Sequence, residues 1–456
     1  DLRSPGLPRG PWSGRAAQRR WASMLPRGRV SWIPSRGRGR LKGTTVQRNG
    51  RRRGHRVPRR PSAGDPLHAL DIAVARVSPL PEAPIPAPRP TTDPVNPDIA
   101  PRGALERWLV RLLRDPRDLH FVRVSARLAV PLWGMAALYY AGVLPVWTVV
   151  LWMPVLFTQI AGRYTLMLHA MCHRPLFKPE HPWLEAAIPR LLGPFIGHTP
   201  GSFYAHHIGM HHPENNLAED LSTTLPYRRD HLPSFLHYWG RFFFVGTLHL
   251  ARYLHQRRRD AILRRWVRGE LAWFVAVGAL AVVAPGPTFA VFILPFLLIR
   301  FFMMTGNWAQ HAFVDPDRPE SAFGNSTCLI NISYNHKCYN DGYHVVHHLK
   351  PNLHWTEMAA WYQDRLDQFG AQDALVFDGL GNNQVVWWCL MTGDWDRLAR
   401  HVVDLPGAPV RDHAEKVAWL QRRARTVCGE RRGYLELAPA TSCATTASAG
   451  GPGSAR

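Results

Sequence analysis

The chain has 456 residues, of which 56 are Lys or Arg and 33 are Asp or Glu, giving a formal charge of +23, a pI near 10.7 and a slightly polar mean hydropathy. Such averages point to a soluble protein that binds nucleic acid, but residues 1–60 hold 17 Arg and one Lys against a single acid, so the remaining chain carries only +6 and no nucleic-acid partner is expected. The six cysteines form no C-x-x-C pair and no closely spaced framework, which excludes a disulfide scaffold and a cysteine zinc site.

Residues 1–100 read as an Arg- and Pro-rich leader. Gly, Pro and Ser are frequent there and apolar periodicity is missing, so the segment is expected to be disordered. It is either an organelle transit segment, since these are Arg- and Ser-rich and poor in acids, or a stretch that is not native coding sequence, because the chain starts at Asp1 and its first methionine is Met24. The tail, residues 437–456, is of low complexity and is also expected to be disordered.

Two long uncharged segments predict a bilayer protein. Leu128 to Gly162 is 35 residues without a charge, broken by a turn signal at Gly142–Pro145; Leu271 to Ile299 is 29, broken at Pro285-Gly286-Pro287. Each exceeds one span of about 20 residues and fits a hairpin of two. The last helix is expected to run from about Thr288 to His311. Trp and Tyr crowd the ends of both segments, and Arg residues precede each hairpin while both turns are uncharged, which places everything but the turns on the cytoplasmic or stromal face. The expected fold is therefore an all-α integral membrane protein of about four transmembrane helices in two hairpins, with a helical cap on that face. The membrane domain spans residues 101–360 and a helical extension of the cap spans 361–436. Between the hairpins, LLGPFIG and FFFVGTLHL suit the interface better than a crossing.

Of 23 histidines, 18 lie between His169 and His354. His169 and His173 stand at i and i+4, on one face of a helix. AHHIGMHHPENN offers His207, His211 and His212, with His206 as a rival for the first position, and GYHVVHHLKPNLHW offers His344, His347 and His348. His311 closes the last membrane helix, with Asn307 one turn earlier. Each group alone is a weak signal, but the topology returns all of them to one face at one membrane depth, where ionisable groups are costly and tend to be functional. Nine imidazoles exceed what one zinc needs and suit two metals. Ala170 follows His169 where a zincin requires Glu. Two histidine-coordinated irons with positions open to dioxygen use the whole set.

H-x-x-x-H, H-x-x-x-H-H and H-x-x-H-H in this order, two hairpins around the second box and an H-H-L-x-P ending of the third resemble the membrane fatty acid desaturase and hydroxylase superfamily over about residues 125–360. The resemblance implies that His169, His173, His207, His211, His212, His311, His344, His347 and His348 ligate two non-haem irons, with O2 as co-substrate. Asn307 matches an asparagine that reaches an iron through water in acyl-CoA members. The implied activity is desaturation of an acyl chain in a lipid or acyl thioester, in a multi-pass protein of the endoplasmic reticulum or chloroplast membrane. Two departures stand out: the second box has one residue more than many members, and no H-P-G-G signature is present, so electrons are expected from a separate donor of cytochrome b5 or ferredoxin type.

Within the superfamily the alternative is a lipid or carotenoid hydroxylase or ketolase. Outside it stand a zinc-dependent membrane lipid hydrolase and a noncatalytic histidine-rich sensor. Asp220 and Asp341 are candidates for orienting ligand imidazoles, and His198, His336 and His354 are expected outside the first set. Arg174 and Lys178 are candidates for meeting an acyl head group or anionic lipid.

Overall fold

A computed structural model describes residues 90–95 and 99–427, all within one packed unit. The expectations for residues 1–89 and for the tail 437–456 lie outside the described residues. Among the described residues, four helices are long and apolar enough to cross a membrane: Pro116–Tyr140, Val146–His173, Asp260–Val283 and Pro285–Gln310. They fall where the two uncharged segments predicted two hairpins, and the last ends one residue before His311.

Helix α1 (Ala104–Leu112) precedes the first span, α2 (Pro116–Tyr140). The Asp115 carboxylate accepts the Arg117 amide at 3.0 Å and so caps the entry to α2. At its other end Gly142, with φ of +69°, reverses the chain, and the amides of Ala141 and Gly142 return to the carbonyls of Ala137 and Tyr139. The second span, α3 (Val146–His173), carries a π-helical stretch at Leu156–Ala161, two residues beyond Pro154. Proline has no amide to donate, which locally frees the helical ladder to change pitch.

Three helices follow that are not among the membrane-crossing four. α4 (Pro182–Ile196) contains LLGPFI and ends at Gly197, whose φ is +92°. A Cβ on Gly197 would stand 2.5 Å from the Pro295 carbonyl oxygen, so glycine lets α4 pack directly on the last span. The second histidine box forms α5, a helix over Ser202–His206 that continues through a π turn at His207–His211 into His212–Glu214. α6 (Leu232–Gln256) carries the FFFVGTLHL stretch.

The second hairpin joins α7 (Asp260–Val283) to α8 (Pro285–Gln310), where proline at the first helical position starts α8 without wasting an amide. The Tyr140 and Thr288 hydroxyls are 2.8 Å apart, tying the turn of one hairpin to that of the other. With both turns at one end, the histidine-bearing ends of α3 and α8 come back together at the other.

Beyond α8 lies a mostly helical region containing α9 (Ser333–Lys337), α10 (His344–Leu349), α11 (Asn383–Thr392), α12 (Trp395–Arg400) and α13 (His413–Arg423). It departs from an all-helical cap in one feature, a two-stranded parallel sheet pairing β1 (Cys328–Ile330) with β2 (Val376–Asp378). Phe235, Trp308, Leu329, Leu375 and Phe377 share one core, which joins the last span to this region. The segment 90–95 docks here too. Asp93 is buried and accepts hydrogen bonds from the Asn331 amide at 2.8 Å, Asn335 Nδ2 at 3.0 Å and the Tyr343 hydroxyl at 2.8 Å.

Candidate metal centre

Local geometry splits the histidines into two sets. His169 and His173 are one turn apart at the end of α3, and His344, His347 and His348 share the short helix α10. In α5 the His212 amide bonds to the His207 carbonyl, an i to i+5 closure, so the extra residue of the second box is absorbed as a π turn. This wider turn stacks position i over i+5, and the rings of His207 and His212 have centroids 4.4 Å apart.

Two clusters result: His169, His173, His207, His212 and His347 in one, and His211, His311, His344 and His348 in the other, with the candidate ligand atoms of each within 4.8 Å of one another. Each adjacent pair, His211-His212 and His347-His348, contributes one imidazole to each cluster. Neighbours on a helix point about 100° apart, so a doubled histidine can serve two centres but not one.

The ring nitrogens show what the clusters fit. Nε2 of His169 stands 2.9 Å from Nε2 of His347, which is itself 2.8 Å from Nε2 of His212; Nε2 of His173 and His207 are 2.9 Å apart. In the other cluster Nε2 of His344 is 3.2 Å from that of His311 and 3.0 Å from that of His348. The opposite nitrogens meet acceptors: His311 Nδ1 the Asn325 carbonyl at 2.8 Å, His211 Nδ1 the Asp220 carboxylate at 2.7 Å, His169 Nδ1 that of Asp341 at 3.3 Å. A proton on Nδ1 leaves a lone pair on Nε2 of His169, His211 and His311, and ring nitrogens converging in this way could hold a cation between them. With metal–nitrogen bonds of about 2.1 Å, cis ligands at right angles stand about 3.0 Å apart, as the pairs here do.

Burial favours the same state. Burial and the crowding of other imidazoles hold His207, His344, His347 and His348 well below the usual 6.5, and His311 near about 4. The neutral imidazole is the ligating form. Burial also works against the Asp220 carboxylate, but the charge and hydrogen bond of His211 and the Ser222 hydroxyl hold it down at about 2.

Asn307, the expected site residue that is not a histidine, donates through Nδ2 to the Ser222 carbonyl at 3.1 Å and the Tyr238 hydroxyl at 2.7 Å. Of the two rivals in the second box, His207 joins a cluster and His206 stays outside both, with Nε2 buried and unpartnered. His198 meets the Thr165 hydroxyl at 2.9 Å, His354 pairs with Asp118 at 3.3 Å, and His336 is exposed. Arg174 is held by Asp115 at 2.9 Å, and the exposed Lys178 donates to the Arg111 carbonyl at 2.6 Å.

Several supporting residues carried no signal in the sequence. The Thr224 hydroxyl donates to the His311 carbonyl at 2.6 Å. Arg229 is fully buried and donates to backbone carbonyls alone, among them Ala312 at 2.8 Å, Thr224 at 3.1 Å and Arg423 at 2.8 Å, thereby joining the residue after His311 to the end of α13. Burial without a contacting carboxylate pulls its guanidinium down to about 9.

A cavity of about 660 Å³ opens onto both clusters, with His169, His207, His211 and His344 in its wall and Phe157, Ile299, Phe302 and Met303 lining its part between α3 and α8. The sequence model of the fatty acid desaturase family matches residues 142–379, just over half of the chain. The chain belongs to the fatty acid desaturase family. Comparison with curated proteins and with solved structures found no match. The desaturase match starts at the turn of the first hairpin and closes just after β2, so it takes in all nine clustered histidines together with Asp220 and Asp341. α1, α2 and the helices after β2 lie outside it.

Proposed function

We propose that the chain is a non-haem di-iron, O2-dependent fatty acyl desaturase of a multi-pass membrane protein, working with a separate electron donor of cytochrome b5 or ferredoxin type. The observation that carries this reading is the pair of all-imidazole clusters facing one cavity between two membrane-crossing helices. Five and four nitrogen ligands suit two irons, whereas a zinc hydrolase needs three or four in all. The arginines before each hairpin support placing the clusters on the cytoplasmic or stromal side of an endoplasmic reticulum or chloroplast membrane.

No amino-acid side chain removes hydrogen from an unactivated methylene, and two bound irons supply the dioxygen chemistry that does. The overall reaction takes a –CH2–CH2– unit, O2, two electrons and two protons to –CH=CH– and two waters. The chain's own contribution is positional. Asp220, Asp341 and the Asn325 carbonyl hold His211, His169 and His311 in the tautomer that presents Nε2. Phe157, Ile299, Phe302 and Met303 make an apolar passage that admits an acyl chain between α3 and α8 and keeps bulk water out.

The test is metal analysis of detergent-purified protein together with lipid profiling of a host expressing the chain, against a His347→Ala control. About two irons per chain and a new unsaturated lipid absent from the control are expected. One zinc per chain would support the hydrolase, and a new hydroxylated lipid the hydroxylase.

A further inference from the structure

Neither cation that the sequence offered for a head group lines the cavity, but its wall carries two others. Arg163 lies in α3, half-buried, six residues before His169, and Lys337 is the exposed last residue of α9. Neither has a hydrogen-bond or ion-pair partner among the described residues. An unpaired guanidinium in a membrane-crossing helix is costly, and such residues mark functional sites more often than structural ones.

The backbone brings the two together. Gly162 packs against Cys338, close enough that a Cβ would meet its sulfur at 3.4 Å, and Arg163 and Lys337 are the chain neighbours of that contact. Both positive charges act on the Cys338 thiol, although burial and Asp341 dominate there and push it up to about 12. Among the described residues the wall holds a single carboxylate, Asp341, and it is engaged by His169 at 3.3 Å, the Tyr334 hydroxyl at 3.0 Å and Gln310 Nε2 at 3.1 Å. The wall also carries the polar Ser333, Asn382 and Gln384 from the region beyond α8 and the apolar Phe157, Ile299, Phe302 and Met303 from the two spans. The cavity wall is therefore amphipathic, with the positive charges of Arg163 and Lys337 uncompensated in it.

Resting on the desaturase reading, we infer that Arg163 and Lys337 form the head-group site of this cavity, so that the substrate is an acyl chain bearing an anionic head, a carboxylate or a phosphate. Arg163 supplies a planar fork for two of its oxygens and Lys337 a mobile point charge beside it. Anchoring the head at a fixed place also fixes how far along the chain the carbon facing the clusters lies, which is how a passage without specific contacts to methylenes selects a position.

Binding to the full, metal-free chain in detergent tests this without relying on turnover. Native mass spectrometry would compare stearate, 1-stearoyl lysophosphatidate and stearoyl-coenzyme A with the uncharged 1-monostearoylglycerol. At least one anionic ligand is expected to bind tenfold or more tighter than the uncharged one, and the ranking among the three distinguishes carboxylate from phosphate and free lipid from thioester. Arg163→Gln and Lys337→Gln should each remove most of that preference while leaving monostearoylglycerol binding unchanged. Because Lys337 is exposed, its variant is expected to keep the wild-type unfolding midpoint and carries the test if Arg163→Gln does not fold. Equal binding of charged and uncharged ligands, or a preference that survives in Lys337→Gln and in any folded Arg163→Gln, overturns the inference. Anionic binding in a protein that makes no unsaturated product overturns instead the desaturase reading, so the two failures are separable.

Discussion

Asp220→Asn isolates what a carboxylate behind a ligand does for a metal. The Asp220 side chain is buried and accepts four hydrogen bonds, from His211 Nδ1 at 2.7 Å, the Asn216 amide at 2.9 Å, the Ser222 amide at 2.7 Å and the Ser222 hydroxyl at 2.6 Å. Asparagine keeps the shape but must turn an NH2 toward one pair of these donors. Facing His211, it opposes the Nδ1 proton and drives the ring to the tautomer with hydrogen on Nε2, which removes the lone pair from the cluster; facing Ser222, it opposes that amide instead. A hydrogen bond to a charged acceptor is worth about 1.5–3 kcal/mol, or roughly ten- to hundredfold in affinity, the range typical of groups that orient a ligand. The loss should fall on the cluster of His211, His311, His344 and His348 and spare the other, whose carboxylate support comes from Asp341. Iron per chain, measured by mass spectrometry after graded chelator treatment, should pass through a plateau near one at chelator concentrations where the wild type still holds about two. Coincident chelator curves for variant and wild type would refute the orienting role, and simultaneous loss of both irons would refute the independence of the clusters.

Arg229→Met leaves the buried Ala312 carbonyl without its donor, while the carbonyls of Thr224 and Arg423 keep the amides of Tyr227 and Val314; at about 1–3 kcal/mol for a buried group left unsatisfied, a destabilisation of that size is expected, read as a lowered unfolding midpoint and looser binding in the His311 cluster. Asp93→Ala removes the acceptor shared by Asn331, Asn335 and Tyr343, although Asn335 keeps the Leu329 carbonyl and Tyr343 the Thr91 hydroxyl, so a loss of about 1–3 kcal/mol is expected in the same unfolding assay, and an unchanged midpoint would show that the segment 90–95 is not held through it. The clustered imidazoles also set a pH response. His207, His344, His347 and His348 titrate in the fold well below 6.5, so below that pH the unfolded chain binds protons that the folded one refuses. Metal-free protein should therefore keep a constant unfolding midpoint from pH 8 to 7 and lose stability progressively below about 6.5; a midpoint that rises toward acid would contradict neutral, buried imidazoles.

Much of the architecture was legible in the residues because it depends on properties summed along short stretches. Absence of charge over 35 and 29 residues requires burial in lipid or protein whatever the surroundings, and Gly-Pro turn signals divide each run where the hairpins turn. Helical periodicity likewise paired His169 with His173 and grouped His344, His347 and His348. Which imidazole joins which cluster depended on a change of pitch. A regular helix would stack His207 over His211; the π turn stacks it over His212 and leaves His206 outside both sets. Four-residue spacing puts Asn307 on the face of His311, and only the fold shows that its NH2 donates to Tyr238 and Ser222. The cations divide for the same reason. Arg174, Lys178, Arg163 and Lys337 are alike in a string of letters, and only packing across the chain gives the first two partners and leaves the last two facing the cavity. Local sequence sets which groups share a helix face; long-range contacts set which of them remain free to bind something else.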